Sequence, residues 1–191
     1  MAAPILADPK LWPSAYYLCT YLHANPNLYA GLSVMELGAG YGFCGVVAGR
    51  LASSVTWTDC RPEVLQSTLP EVIEKNKSLL SSCTTLITEL DWASNLPDIT
   101  QYDLVIGAEL MYKSVQFLDL FRIASKSLKP NGKLVLAFVD ECQGPTISKI
   151  VQTCGLKEIE SHKEEINPAD LSERGVLDYG ETVIISTYQL A

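Results

Sequence analysis

A chain of 191 residues, 48% of them apolar and only 19% charged, has enough material for one domain with a sizeable core and is too apolar for a disordered tail. Its 14 Lys and Arg stand against 22 Asp and Glu, and the formal charge of −8 is the wrong bulk sign for a protein that grips a phosphate backbone. Six cysteines without a CxxC pair and two distant histidines, His23 and His162, make no zinc-ligand pattern, and no apolar run approaches the ~20 residues of a membrane span. With no basic leader ahead of a long apolar stretch, the expectation is a single-domain, monomeric, metal-free protein of the cytoplasm, and also of the nucleus, that binds neither membrane nor nucleic acid.

The first element reads as an amphipathic helix over about residues 9–24. Asp8 stands as N-cap, Pro9 at the first helical position, and Leu11, Ala15, Leu18 and Leu22 recur at helical spacing. Asn25-Pro26-Asn27 stops it. Leu32 to Leu37 is then a short buried strand, and the glycine-rich turn Gly38 to Gly42 leads into a helix ending near Leu51. Val55 to Thr58 is a second strand, ending at Asp59. Pro62 to Leu80 is helical, with Pro70 expected to kink or divide it.

Thr84 to Leu90 gives a third strand and Tyr102 to Ala108 a fourth. Ser114 to Lys129 carries Val115, Leu118, Phe121 and Leu128 at helical spacing, and Pro130-Asn131-Gly132 is expected to end it. Lys133 to Val139 is a fifth strand, Thr146 to Thr153 a helix, Leu156 to Ser161 a sixth strand and Thr182 to Gln189 a seventh; the polar stretch Lys163 to Glu181 reads as a loop. The β–α alternation predicts an α/β fold, a Rossmann-like doubly wound seven-stranded sheet that is mostly parallel. Strands six and seven lack a crossover helix between them, so an antiparallel C-terminal hairpin is expected at one edge.

Such sheets bind ligands beyond the carboxyl ends of their strands, near the switch point. After the first strand stands Glu36-Leu37-Gly38-Ala39-Gly40-Tyr41-Gly42. Glycines there let backbone approach a ligand closely, while the next helix aims N–H groups at it. A dinucleotide fingerprint would put its third glycine at position 43, where this chain has Phe43, which disfavours a nicotinamide-dependent oxidoreductase. Asp59 can accept hydrogen bonds from both hydroxyls of a ribose, although an Asp after a strand is also an ordinary cap. Asp91-Trp92 would suit an adenine amine and ring, or serve as a cap beside a packed indole. Glu109 and Tyr112 share a face if they lie on one helical turn.

Together these residues resemble the class I, seven-β-strand S-adenosylmethionine-dependent methyltransferases, and within them methyltransferase family 16, the protein-lysine methyltransferases. The G-x-G-x-G loop after Glu36, then Asp59, Asp91-Trp92 and Glu109-x-x-Tyr112 carry the likeness, with Leu11-Trp12-Pro13-Ser14-Ala15 similar to that family's W-x-x-A helix and Asn76 to its recurrent asparagine. Glu109 departs from the commoner Asp by one methylene. The resemblance implies S-adenosyl-L-methionine as cofactor, S-adenosyl-L-homocysteine as product and a protein with an accessible lysine as partner. It further implies that Glu36, Gly38, Ala39, Gly40, Gly42, Asp59, Cys60, Asp91 and Trp92 bind the cofactor, with Trp12 and Ala108 beside the methyl donor, and that Glu109 and Tyr112 are catalytic. A small-molecule N- or O-methyltransferase, or a catalytically silent cofactor-binding scaffold, remain the alternatives.

Overall fold

The computed structural model describes residues 12–94, 100–111, 116–140, 144–166 and 182–191. In chain order the main elements are α1 (Pro13–Ala24), β1 (Ser33–Glu36), α2 (Phe43–Gly49), β2 (Ser54–Asp59), α3 (Leu69–Lys75), β3 (Thr84–Glu89), β4 (Tyr102–Ala108), α4 (Phe117–Ser127), β5 (Leu128–Val139), α5 (Gly144–Thr153), β6 (Leu156–Glu165) and β7 (Thr182–Leu190). The strands form one seven-stranded sheet ordered β3-β2-β1-β4-β5-β7-β6. β1 pairs in parallel with β2 and β4, β2 with β3, and β4 with β5, whereas β7 runs antiparallel to both β5 and β6. The predicted doubly wound sheet and terminal hairpin are both present. After β3 the chain returns to the other side of β1, so the switch point lies between β1 and β4.

Side chains of the central strands alternate between two apolar layers. Val34, Leu104, Ile106, Val135 and Ile185 pack with Leu18 and Leu22 of α1 and Val46 and Val47 of α2. Met35, Leu37, Val105, Leu136 and Phe138 pack on the other face with Leu120, Phe121 and Ile123 of α4 and Val151 of α5. Burial on both faces is why these strands read as unbroken apolar runs rather than as alternating ones. No helix among the described residues is long and apolar enough to cross a membrane.

Several boundaries differ from the sequence expectation, each for an identifiable reason. Asp8, Pro9 and Leu11 lie outside the described residues, and α1 begins at Pro13 because Trp12 is extended (φ −70°, ψ 143°). A residue before proline is pushed out of the helical region, so Trp12 caps the helix instead of continuing it. From Pro62 to Lys75 the chain is helical without a break, with a wide π turn, Val64–Thr68, just before Pro70, where the helical ladder has to accommodate a residue with no N–H.

The buried stripe of α4 is Phe117, Leu120, Phe121, Ile123 and Ala124; of the residues expected at helical spacing, Phe121 and Leu128 are buried, Leu118 is 48% exposed, and Val115 lies outside the described residues. Pro130-Asn131-Gly132 does not separate helix from strand. β5 already begins at Leu128, and the three residues form a bulge that shifts its register against β4 between the pairs Tyr102–Leu128 and Leu104–Lys133. β6 runs to Glu165 instead of Ser161 because an edge strand can be polar on nearly every residue and still pair, so part of the predicted loop is strand. The remainder, 167–181, lies outside the described residues.

Candidate active site

Among the described residues, Glu36, the Gly38–Gly42 turn, Asp59, Cys60, Asp91, Trp92, Ala108 and Glu109 stand at or just beyond the carboxyl ends of β1 to β4, and Trp12 caps α1. The turn after β1 is held by its neighbours' backbone: Leu37 N–H donates to Ile106 C=O at 2.9 Å and Ala39 N–H to Thr58 C=O at 2.8 Å. Gly38, Gly40 and Gly42 all have positive φ (55°, 53° and 71°), the region where a side chain is strained. Gly40 also lines open space, since a Cβ there would meet only the Arg61 guanidinium, at 3.6 Å.

Two carboxyl groups tie this turn down. Glu36, 4% exposed, accepts the N–H of Gly45 in α2 at 2.8 Å. Burial pushes its pKa up to about 8, against the opposing hydrogen bonds from Gly45 and Cys44 and with the nearby charge of Asp59 adding to the rise. Glu36 therefore acts on the loop from beneath. A Cβ on Gly45 would fall inside the Trp57 indole and 2.6 Å from the Glu36 carboxyl, so this unforeseen glycine is what lets α2 approach. Trp57 was likewise not singled out, yet its Nε1–H donates to Gly42 C=O at 2.9 Å.

Asp59 ends β2 and is also 4% exposed. Its Oδ2 accepts Gly40 N–H and Arg61 Nη2, each at 3.0 Å, and its Oδ1 accepts Arg61 N–H at 3.0 Å and Nε at 2.9 Å. Desolvation would raise the Asp59 pKa, but the donors from Arg61 and Gly40 outweigh it and hold the carboxyl below its usual value. A carboxylate has about four acceptor sites, and four donors occupy them. The forked guanidinium offers the carboxylate two parallel donors, as a vicinal diol does. With Arg61 54% exposed, it can swing into solvent. Cys60, between the two, is exposed.

At the end of β3, Asp91 accepts the Ala93 N–H at 3.0 Å in a local turn. The half-buried Trp92 ring lies against the loop, 3.3 Å from where a Cβ on Gly38 would stand, and its C=O accepts Arg122 Nη2 at 3.1 Å. On the other side of Gly38 sits Leu110, 2.6 Å from that same point, which brings the end of β4 against the glycine turn. Ala108 and Glu109 are half-buried there. Glu109 has φ +55°, donates its N–H to Ala137 C=O at 2.9 Å, and accepts the Ser14 hydroxyl through Oε2. Ser14 thus joins the start of α1, and with it the exposed cap Trp12, to the end of β4. Tyr112 lies outside the described residues. A cavity of about 480 Å³ opens at Met111, just past Glu109, but runs between α5 and the β5-β7-β6 side, lined by Phe138, Val151, Lys163 and Tyr188, away from the glycine turn.

This arrangement is a Rossmann-like methyltransferase fold. N-methyltransferase NodS from Bradyrhizobium japonicum, in complex with S-adenosyl-L-homocysteine, superimposes with a TM-score of 0.68 at 16% identity, over 94% of this chain and 88% of that one. A model of the lysine methyltransferase family matches residues 7–144, and the chain belongs to that family. Protein N-lysine methyltransferase METTL21A from Mus musculus is 32% identical over 129 residues, 66% of this chain and 58% of that protein. Calmodulin-lysine N-methyltransferase from Arabidopsis thaliana is 27% identical over 155 residues, 79% of this chain and 50% of that protein. The chain spans about half the length of the curated relatives it matches.

Proposed function

We propose that this chain transfers a methyl group from S-adenosylmethionine to the side-chain amine of a lysine in a protein. The observation that carries the reading is the meeting, at one switch point, of a positive-φ glycine cradle, a fork-recognising Asp59 and a held carboxylate, Glu109. Family membership and the activities named for METTL21A and the calmodulin-lysine enzyme support it.

The cradle fits the cofactor. Gly38, Ala39, Gly40 and Gly42 would hold its methionine portion, Asp59 and Cys60 its ribose after Arg61 swings away, and Asp91 and Trp92 its adenine, with Trp12 and Ala108 beside the donor end. When bound, S-adenosylmethionine supplies an electrophilic methyl on a sulfonium. Glu36 keeps the loop and α2 in register from below. A lysine acceptor must arrive neutral, and with a free pKa of ~10.4 its deprotonation at pH 7 costs about 4.6 kcal/mol. Glu109 receives the amine's hydrogen bond and aligns its lone pair, and Tyr112 would line the same channel. Six scattered cysteines without a CxxC pair support a reducing compartment, the cytoplasm or nucleus.

Incubation with methyl-labelled cofactor and a cell lysate tests the reading. A labelled protein whose label maps to lysine is the expected result. Label only in small molecules, or none despite cofactor binding, would overturn it. Glu109→Ala should keep its calorimetric affinity for S-adenosylhomocysteine within about threefold while losing at least about a hundredfold in transfer; equal loss of both would remove Glu109 from the acceptor side.

A further inference from the structure

We infer that Ser14 is a positioning residue for Glu109, a hydroxyl from the first turn of α1 that fixes the direction of the acceptor carboxylate at the end of β4. The inference rests on the role given above to Glu109.

Ser14 is fully buried, and the sequence places it 95 residues from its partner, Glu109 Oε2. A serine inside a helix ordinarily turns its hydroxyl back onto the carbonyl four residues earlier. Ser14 stands in the first turn of α1, directly after Pro13, and its hydroxyl donates to Glu109 across the fold. A hydroxyl–carboxylate bond, here part-buried, is among the stronger hydrogen bonds of a protein, because a carboxylate accepts more strongly than a neutral oxygen.

The backbone of Glu109 points the same way. A non-glycine residue at φ +55° stores strain, and such a residue persists where its surroundings hold it in place. Two holds are visible: the Glu109 N–H on Ala137 C=O at 2.9 Å, and the Ser14 hydroxyl on the carboxylate. The first fixes the backbone and the second the far end of the side chain. Electrostatics adds to both, since α1 has no acidic residue in its first turn and Trp12 supplies no side-chain cap. The carboxylate of Glu109 brings negative charge to that positive helix end from across the fold.

A glutamate has three side-chain torsions, and the Ser14 hydroxyl narrows the rotamers from which the carboxylate can meet the acceptor amine. A displacement near 1 Å is enough to cost about a hundredfold in a positioned reaction. Ser14 thereby couples the seat of α1 to the reacting geometry without touching either reactant.

The test has two arms. In the first, denaturant midpoints are measured for the wild type, Ser14→Ala, Glu109→Ala and the double variant; the double variant should shift by clearly less than the two single shifts combined, and additive shifts would overturn the pairing. In the second, methyl-labelled cofactor and a cell lysate as acceptor mixture give the transfer rate. Ser14→Ala should lose about tenfold or more at saturating cofactor while its KM for cofactor and its affinity for S-adenosylhomocysteine stay within about twofold. Ser14→Thr, which keeps the hydroxyl, should recover most of the rate. An alanine variant as fast as the wild type, or a loss confined to cofactor affinity, would overturn the positioning role. A wild type that labels no protein counts against methyl transfer, whereas additive midpoints count against the Ser14–Glu109 pair whatever the wild type does.

Discussion

Arg61 shows how a single side chain sets the terms on which Asp59 can be used. Both oxygens of Asp59 are already engaged by the guanidinium and two backbone N–H groups, so a ribose diol enters by exchange rather than by addition. Arg61 is 54% exposed but Asp59 is buried and gripped by two guanidinium nitrogens, so the ion pair that must break lies at the upper end for a screened pair, about 1 kcal/mol. Arg61→Ala should therefore bind S-adenosylhomocysteine about fivefold more tightly, and the gap should narrow as salt is added. Weaker binding by calorimetry would show that Arg61 stays to assist the ligand. Asp59 itself was legible from the sequence, as the acidic end of the second strand. Arg61 was not, although it lies two residues on, because nothing local distinguishes a solvated arginine from one folded back onto a carboxylate. Ser14 was hidden for a stronger reason: it sat within the recognised W-x-x-A segment, but its partner is 95 residues away and only the assembled fold brings the two together.

At the scale of elements, β1, the glycine turn and α2 behave as one clamp with Glu36 at its centre. Burial lifts Glu36 to about 8, so the folded protein holds a proton that the unfolded chain, near 4.5, has released. The sign follows directly: this contribution is greatest below about 4.5 and is lost as pH rises through about 8. Thermal melts should accordingly show the apo protein losing stability across that window. Glu36→Gln, which retains an oxygen for the Gly45 N–H, should flatten the slope; an unchanged slope would place the titration elsewhere. Strand β4 was read from the sequence with its observed ends, Tyr102 to Ala108, because flanking polar residues bound an apolar run. β5 was read short, since Pro130-Asn131-Gly132 looks the same in one dimension whether it ends a helix or bulges a strand. The exposed Leu118 was grouped with the buried face because it lies only about 60° around the helix from Phe121, at the edge of the stripe.

Across the whole molecule the two ends of the sheet do different work. The carboxyl ends carry the candidate site. At the amino end of β1 and β4, Asp103 Oδ2 accepts Ser33 N–H at 2.9 Å, Ser33 Oγ at 2.6 Å and Lys129 Nζ at 2.8 Å. Lys129 and Ser33 hold the Asp103 pKa at about 2, against the usual 3.8. The stability this supplies is present above about 3.8 and is lost as pH falls toward about 2, so Asp103→Asn should abolish part of the acid-unfolding slope in that window. With Lys129 42% exposed, the loss near neutral pH should be about 1 kcal/mol or less by denaturant titration, and cofactor affinity should not change. A changed affinity would mean that the amino-end clamp reaches the site through β1.

The order of the strands carries one more consequence, for how the molecule behaves in a crowd of its own copies. A sheet that is not closed has two edge strands, here, among the described residues, β3 and β6. β6 is studded with Lys157, Glu158, Glu160, Lys163, Glu164 and Glu165, charges that repel an incoming strand unless its own pattern answers them. β3 reads Thr-Thr-Leu-Ile-Thr-Glu, β-branched and nearly uncharged, with Leu86 55% exposed. Aggregation on heating or at high concentration should therefore begin at β3, and a lysine at position 86 should delay it, while neutralising a single charge on β6 should matter far less.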